Sequence, residues 1–295
     1  MKILRASEMG MCFGVRDALE ITEDLEAAHD ITIHGELVHN EKVLERLRRR
    51  GFHMAGENDR DRPPATSSVL VTAHGISERR RDGLLRAGYR LIDTTCPLVR
   101  RVHGAAQELA REGRLVLVLG KPGHVEVLGI VEDLDDFLVV SSPADVRLYP
   151  SFQLGVVCQT TLRIDVAREI LAAVRSLNPD ADIRFADTVC DPTRKRIQAV
   201  HELVSRVDVL VVVGGHHSNN TRQLAAIGDR AGIPTHHVAG PEELRAEWFR
   251  GIETCGLTAG TSTLAETVDA VEREMEQPSP GRPPYSTILP PFSTT

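Results

Sequence analysis

Three stretches decide the fold: Lys2-Ile-Leu-Arg-Ala-Ser-Glu-Met-Gly-Met-Cys12, Leu91-Ile-Asp-Thr-Thr-Cys96 and Phe185-Ala-Asp-Thr-Val-Cys190. Each reads as a short apolar β run, then a cysteine, then an amphipathic helix. Two of them share Asp-Thr-X-Cys. The cysteines stand 84 and 94 residues apart, the length of one small α/β unit, and self-similarity at such a period marks related lobes. Working outward, apolar runs at 31–33, 69–72, 115–119, 137–140, 154–157, 207–213, 234–238 and 256–258 predict further strands, with helices between most of them. Repeated β-α-β units imply parallel sheets with right-handed crossovers.

The expected fold class is therefore α/β: three similar small lobes with parallel sheets arranged around a shared centre. Their spans are 13–96, 97–189, and 190–276 with the N-terminal strand in 1–12. Val15, Ala18, Leu19, Leu25 and Ala28 lie on one helical stripe and predict a helix over 15–28. A second helix is predicted over 41–50, stopped by Gly51. The polar stretch 55–68, with Pro63-Pro64, reads as a surface loop. The tail 277–295 holds six prolines and no periodicity, and is expected to be a draped segment and not a domain.

Composition narrows the function classes. With 295 residues, 41% hydrophobic and 26% charged, the chain can build a large core. A net charge of -7 and the lack of a basic stripe argue against nucleic acid. A small polyanion stays open, because it needs local donors and not global charge. The longest apolar run falls far short of the ~20 residues of a membrane helix, so no membrane role is expected. The start carries no signal-peptide pattern, which predicts a soluble, cytoplasmic protein. Five cysteines, an odd number, are not expected to pair there. Without a CxxC pair, a zinc ribbon and a ferredoxin-type run are excluded.

A cysteine that ends a parallel strand and opens a helix faces the ligand crevice of such sheets, and the helix N-terminus favours its thiolate. Three lobes would offer Cys12, Cys96 and Cys190 to one iron–sulfur centre. The plainer reading is a small core residue; it suits Cys158 and Cys255 best, because they lie within or before strand runs. Other strand ends carry Gly with His, Ser, Thr or Asn: His34–Asn40, Ala73-His74-Gly75, Gly120–Glu126, Gln159-Thr160-Thr161, Gly214–Asn220 and Ala259–Thr263. These are donors suited to phosphate oxygens. Singly, Ser218 and Ser262 are as well read as helix N-caps, and a lone histidine as a satisfied core or surface residue. His39, His74 and His124 together are harder to dismiss. Glu126, two residues after His124, would share its direction if the segment is extended and could relay protons beside Thr160; a solvent-facing loop glutamate is the alternative. Walker, nucleophile-elbow and dinucleotide motifs are missing.

Taken in order, Gly10-Met-Cys-Phe-Gly-Val15, Val38-His-Asn40, Ala73-His-Gly75, Asp93-Thr-Thr-Cys-Pro-Leu-Val99, Gly123-His-Val-Glu126, Gln159-Thr-Thr-Leu162, Ser218-Asn-Asn220 and Thr258-Ala-Gly-Thr-Ser262 resemble the 4-hydroxy-3-methylbut-2-enyl diphosphate reductases, the IspH/LytB family, from the N-terminus to about residue 276. The resemblance implies lobes around a central [4Fe–4S] cluster, one per subunit, on Cys12, Cys96 and Cys190, with one iron not ligated by protein. It implies that His39, His74, Ser218, Asn220 and Ser262 bind the diphosphate with His124 nearby. It implies proton delivery by Glu126, and Thr160 orienting the substrate hydroxyl and its water. Asn219 stands where the family has a second serine. The implied activity is two-electron reductive dehydroxylation, ending the non-mevalonate (MEP) isoprenoid route, with reduced ferredoxin or flavodoxin as electron donor.

The chain departs from the family pattern after Cys190, where Pro192 and Ile197 replace the usual residues while Thr193 and Arg196 are in place, and at His216-His217. Two other readings are weighed. A cluster-dependent hydro-lyase would want an arginine-rich carboxylate site, and the strand-end motifs hold few arginines. A non-catalytic phosphometabolite or iron–sulfur sensor would bind ligand without a role for Glu126.

Overall fold

The computed structural model describes residues 1–277, and the Pro-rich stretch called as a tail lies, from residue 278 on, outside the described residues. Two compact units are present: Phe13–Arg194, and Met1–Cys12 with the chain from Lys195 onward.

The unit Phe13–Arg194 holds two four-stranded parallel sheets. The first is built from β2 (Ile31–His34), β3 (His53–Ala55), β4 (Ser68–Val71) and β5 (Arg90–Asp93), in the order β3-β2-β4-β5. The second is built from β6 (Leu115–Leu119), β7 (Phe137–Val140), β8 (Gln153–Cys158) and β9 (Asp182–Phe185), in the order β7-β6-β8-β9. The other unit holds one sheet of β1 (Lys2–Arg5), β10 (Val209–Val213), β11 (Thr235–Val238) and β12 (Thr254–Ala259), in the order β11-β10-β12-β1, all pairs parallel. Every sheet thus follows one plan: the second strand lies on one side of the first, the third and fourth on the other. In the last sheet β1 fills the fourth place.

The plan fixes where ligands can go. The chain reverses its direction of travel between the first and third strands, and the crevice beyond their carboxyl ends is the usual binding position. Those ends are β2 and β4, β6 and β8, and β10 and β12. In each sheet the fourth strand, β5, β9 or β1, leads to Cys96, Cys190 or Cys12.

Core burial explains the strand sequences. All five residues of β10, Val-Leu-Val-Val-Val, are fully buried, as expected for a parallel strand covered on both faces. Val209, Val211 and Val213 pack with Leu257, Val268 and Val271, the last two from α9 (Ala265–Glu276). Leu210 and Val212 pack the other way, with Leu224 and Ile227 of α8 (Asn219–Arg230) and Val200 and Leu203 of α7 (Asp191–Val204). The same alternation splits β6: Leu117 and Leu119 face α6 (Ile164–Leu177), and Val116 and Val118 face α4 (Pro97–Arg111) and α5 (Val125–Val131). Each such side chain contributes roughly 1.5–3 kcal/mol. Exposed ion pairs such as Arg79–Asp135, 2.6 Å apart, are screened by water and add little, so apolar burial and not surface charge holds the lobes.

Three expectations are corrected. The first helix, α1, spans Phe13–Glu23 and not 15–28; the Thr22 hydroxyl bonds back to the Ala18 carbonyl, and the chain leaves the helix so that Leu25 and Ala28 lie beyond it. The strand β3 was not foreseen. The stretch 55–68 is more than a surface loop: Glu57–Asp59 forms a 3-10 turn, and Arg60 turns inward to pair with Glu57 at 2.7 Å.

Candidate active site

In the unit Phe13–Arg194 three imidazoles meet. His39 precedes α2 (Glu41–Arg49), whose N-cap is Asn40, with Oδ1 accepting the N–H groups of Lys42 and Val43 at 3.0 and 3.2 Å. The Val-His-Asn motif is therefore a capped helix start that presents a histidine. His39 stacks on His74 with centroids 4.4 Å apart, and His124 meets them edge-on at 5.5 and 5.8 Å. These residues follow β2, β4 and β6, the ends at which the sheet plan puts a ligand.

Each ring is oriented from behind. The Nδ1 of His39 lies 2.9 Å from a carboxylate oxygen of Glu36, and the Glu36 backbone N–H donates to Glu57 at 2.8 Å. His124 is the N-cap of α5, its Nδ1 accepting the Glu126 N–H at 3.1 Å, which puts the ring proton on Nε2. His74 bonds the Glu36 backbone, and its Nδ1 is buried without a partner. Its pKa lies well below the ordinary histidine value, first because the ring has lost its water and then because His39, His124 and Arg60 oppose added charge. Glu36, His39 and Glu57 are close enough together to hold a metal ion. Arg60 already neutralises Glu57, however, so the arrangement reads as the support of His39.

Glu126 is 2% exposed. Its two carboxylate oxygens take the Thr160 backbone N–H at 2.6 Å and the Thr160 hydroxyl at 2.9 Å. Burial pushes its pKa up to about 7, against the opposing pull of those two hydrogen bonds. The expected extended segment is instead the first turn of α5, so the pairing with Thr160, and not alternation along a strand, places Glu126 inward.

The other unit carries the remaining candidates after β10 and β12. Ser218 is the N-cap of α8, its Oγ accepting the Thr221 N–H at 3.3 Å; this leaves its hydroxyl proton to donate. Asn219 opens the same helix, half-exposed. Asn220 is 2% exposed: its Oδ1 accepts the Thr261 N–H at 2.9 Å, and its Nδ2 is buried with no partner. A buried amide donor without an acceptor is costly and fits an anion that supplies one. Ser262 is buried beside Thr261.

Cys12, Cys96 and Cys190 are partly exposed cysteines outside any disulfide, at the heads of α1, α4 and α7. Cys96 is the N-cap of α4, followed by Pro97. The Cys190 sulfur lies 3.1 Å from the Thr193 hydroxyl, and Pro192 is the second residue of α7, where a proline needs no N–H partner. Ile197 is a core residue, so neither departure disturbs the cysteine. Gly14 lies against Cys96, where an added Cβ would stand 2.4 Å from the sulfur; the sulfur needs that glycine. Cys158 and Cys255 are fully buried, and burial pushes both thiols up to about 12. Partly exposed thiols at helix heads, with Gly14 leaving room beside Cys96, have the chemistry of iron–sulfur ligands.

Sequence reasoning missed Glu36, Glu57 and Arg60 behind His39. The polar 55–68 stretch gave no periodic signal, and only the carboxylate two residues after the β2 end could have pointed to Glu36.

The LytB protein family model matches residues 3–276. A 4-hydroxy-3-methylbut-2-enyl diphosphate reductase from Ectopseudomonas mendocina is 36% identical, over 93% of this chain and 90% of its own. Two solved structures are similar. The Plasmodium falciparum E-1-hydroxy-2-methyl-but-2-enyl-4-diphosphate reductase has a TM-score of 0.85 at 23% identity, covering 98% of this chain and 93% of that one. An (E)-4-hydroxy-3-methyl-but-2-enyl diphosphate reductase, titled the terminal enzyme of the non-mevalonate pathway, has a TM-score of 0.66 at 29% identity, covering 94% and 99%. With a match across nearly its whole described length, the chain belongs to the LytB protein family.

Proposed function

We propose that this chain is a reductase that converts 4-hydroxy-3-methylbut-2-enyl diphosphate to isopentenyl and dimethylallyl diphosphate, closing the non-mevalonate isoprenoid route. The observation that carries the reading is the buried Glu126–Thr160 pair next to the imidazole-rich end of β6: a carboxyl poised near neutral pH, with one oxygen bonded to the Thr160 N–H and the other to the Thr160 hydroxyl, which can face a substrate. A general acid works best with its pKa near the working pH.

The residues divide the work. His39, His74, His124, Ser218, Asn219, Asn220 and Ser262 hold the diphosphate. Thr160 orients the substrate hydroxyl and its water. The protonated Glu126 gives its proton through the Thr160 Oγ, whose own proton moves on to the substrate side. Cys12, Cys96 and Cys190, each following the fourth strand of one of the three sheets of the proposed lobes 13–96, 97–189 and 190–276 with 1–12, would hold a single [4Fe–4S] cluster with one iron free of protein ligands. That cluster, when bound, supplies the electrons and a Lewis-acidic iron. A reduced ferredoxin or flavodoxin is the proposed donor and the cytoplasm the proposed location; among the described residues no helix is long and apolar enough to cross a membrane.

His74 adds a check on the diphosphate assignment. Its ring is neutral at pH 7 in the ligand-free protein, and an anion beside it favours the protonated form. Binding of inorganic pyrophosphate is expected to shift this ring toward its protonated form, so that proton uptake accompanies binding and affinity weakens as pH rises. Calorimetry in two buffers of different ionisation enthalpy measures this. No uptake would remove His74 from the anion site.

The test of the function itself is anaerobic. The protein is reconstituted with iron and sulfide, its absorption and EPR spectra are recorded, and the hydroxymethylbutenyl diphosphate is added with a chemical reductant. A four-iron signal that changes with substrate, together with both isoprenoid diphosphates as products, is expected. A cluster with no turnover overturns the reductase reading.

A further inference from the structure

Arg196 follows two other basic residues, Arg194 and Lys195, yet it is 5% exposed. Its Nε and one terminal nitrogen donate to a single acceptor, the Gly10 carbonyl, at 3.0 and 2.7 Å. Gly10 lies two residues before Cys12 and adopts φ +74, a backbone state that side chains disfavour. The segment 10–12 lies between β1 and α1, so no ladder or helix of its own fixes it. Its donors are held from one side: the Gly10 N–H bonds Ala259 and the Cys12 N–H bonds Thr261, each at 3.0 Å. The Gly10 carbonyl is held from the other, by Arg196.

We propose that Arg196 is a positioning residue for Cys12: by clamping the Gly10 carbonyl against the pull of the β12 end, it sets the direction of the Cys12 thiol. The inference rests on the reading of Cys12 as a cluster ligand. Charge-assisted hydrogen bonds from a guanidinium are about twice as strong as neutral ones, and a guanidinium stripped of water cannot exchange the carbonyl for solvent. A lysine in its place keeps the charge but offers a point donor without the planar fork.

The test reads each cysteine separately. Full-length reconstituted wild-type, Arg196→Gln and Arg196→Lys proteins are exposed anaerobically to bipyridine and an alkylating agent, and modification of all five cysteines is followed by mass spectrometry. In wild type, Cys12, Cys96 and Cys190 are expected to react together as iron leaves, with Cys158 and Cys255 silent. In Arg196→Gln, Cys12 is expected to react roughly tenfold ahead of Cys96 and Cys190, the factor set by the loss of one charged hydrogen bond. Arg196→Lys, which keeps the charge without the fork, is expected to fall between Arg196→Gln and wild type. An unchanged order in Arg196→Gln overturns the proposal. So does a joint rise of all five cysteines, which would mean that Arg196 serves folding alone. If the wild-type chain takes up no iron, the fault lies with the cluster, and the same order read without bipyridine still decides for or against the clamp.

Discussion

Glu126→Gln is expected to lower turnover by about 10²–10⁴-fold, the range for losing a positioned general acid, while substrate binding changes little. The glutamine keeps the shape of the pair: its carbonyl can take the Thr160 N–H and its amide can donate to the Thr160 hydroxyl, so only the transferable proton is lost. The stability of the variant moves the other way. In the folded protein the Glu126 carboxyl holds its proton to about pH 7, against the ordinary glutamate value of 4.5. Between those limits the folded state binds more protons than the unfolded one, so wild-type stability falls as pH rises from about 4.5 through about 7 and then levels off. The neutral glutamine escapes this loss. At pH 8 it is expected to unfold at higher denaturant concentration than wild type, by a margin on the order of 2–3 kcal/mol, and at pH 4 the two should nearly coincide. Wild-type turnover should fall above pH 7 as the acid form is lost. Steady-state kinetics and urea unfolding at the two pH values check all three results. A variant with full turnover would end the proton-delivery role, and a variant that binds substrate but cannot turn it over rules out a sensor that merely binds.

Much of this was readable in the chain because parallel strands advertise themselves. A run such as Val-Leu-Val-Val-Val at β10 has no polar alternation, since both faces are covered, and the Gly, His, Ser and Asn that follow such runs fall at carboxyl ends by construction. What escaped lacked that signature. The strand β3, His-Met-Ala, is three residues long at a sheet edge and carries no period. The end of α1 was misjudged because Leu25 and Ala28 continue the apolar spacing after the chain has left the helix. The support of His39 depends on Glu57 and Arg60 reaching back to Gly35 and Glu36, a tertiary contact that a polar stretch does not announce. The burial of Arg196 was hidden likewise, since Arg194 and Lys195 beside it remain at the surface.

The second large effect separates the five cysteines by chemistry. Replacing Cys12, Cys96 or Cys190 by serine is expected to abolish turnover and strip most of the bound iron, because a hydroxyl does not supply the thiolate that an iron–sulfur cluster requires. All three sit partly exposed at helix heads, so the folded chain should survive the change, with unfolding midpoints close to wild type. Cys158→Ser and Cys255→Ser are expected to reverse the pattern. Both thiols are fully buried in apolar clusters, and a polar hydroxyl buried there costs roughly 1–3 kcal/mol, least at 255, where the Gly256 carbonyl 3.5 Å from the sulfur can accept it; iron content should stay near wild type in whatever protein remains folded. Gly14→Ala probes the same centre with no cysteine touched. Its new methyl would stand 2.4 Å from the Cys96 sulfur, far inside contact distance, so either the sulfur or the start of α1 must move. Iron loss approaching that of Cys96→Ser is expected, with secondary structure kept. Iron analysis, circular dichroism and turnover on the six variants together decide the assignment. Iron retained in any one of the three helix-head variants would remove that cysteine from the ligand set, and iron lost from Cys158→Ser or Cys255→Ser while the fold persists would mean that the cluster draws on a sulfur the fold seals away.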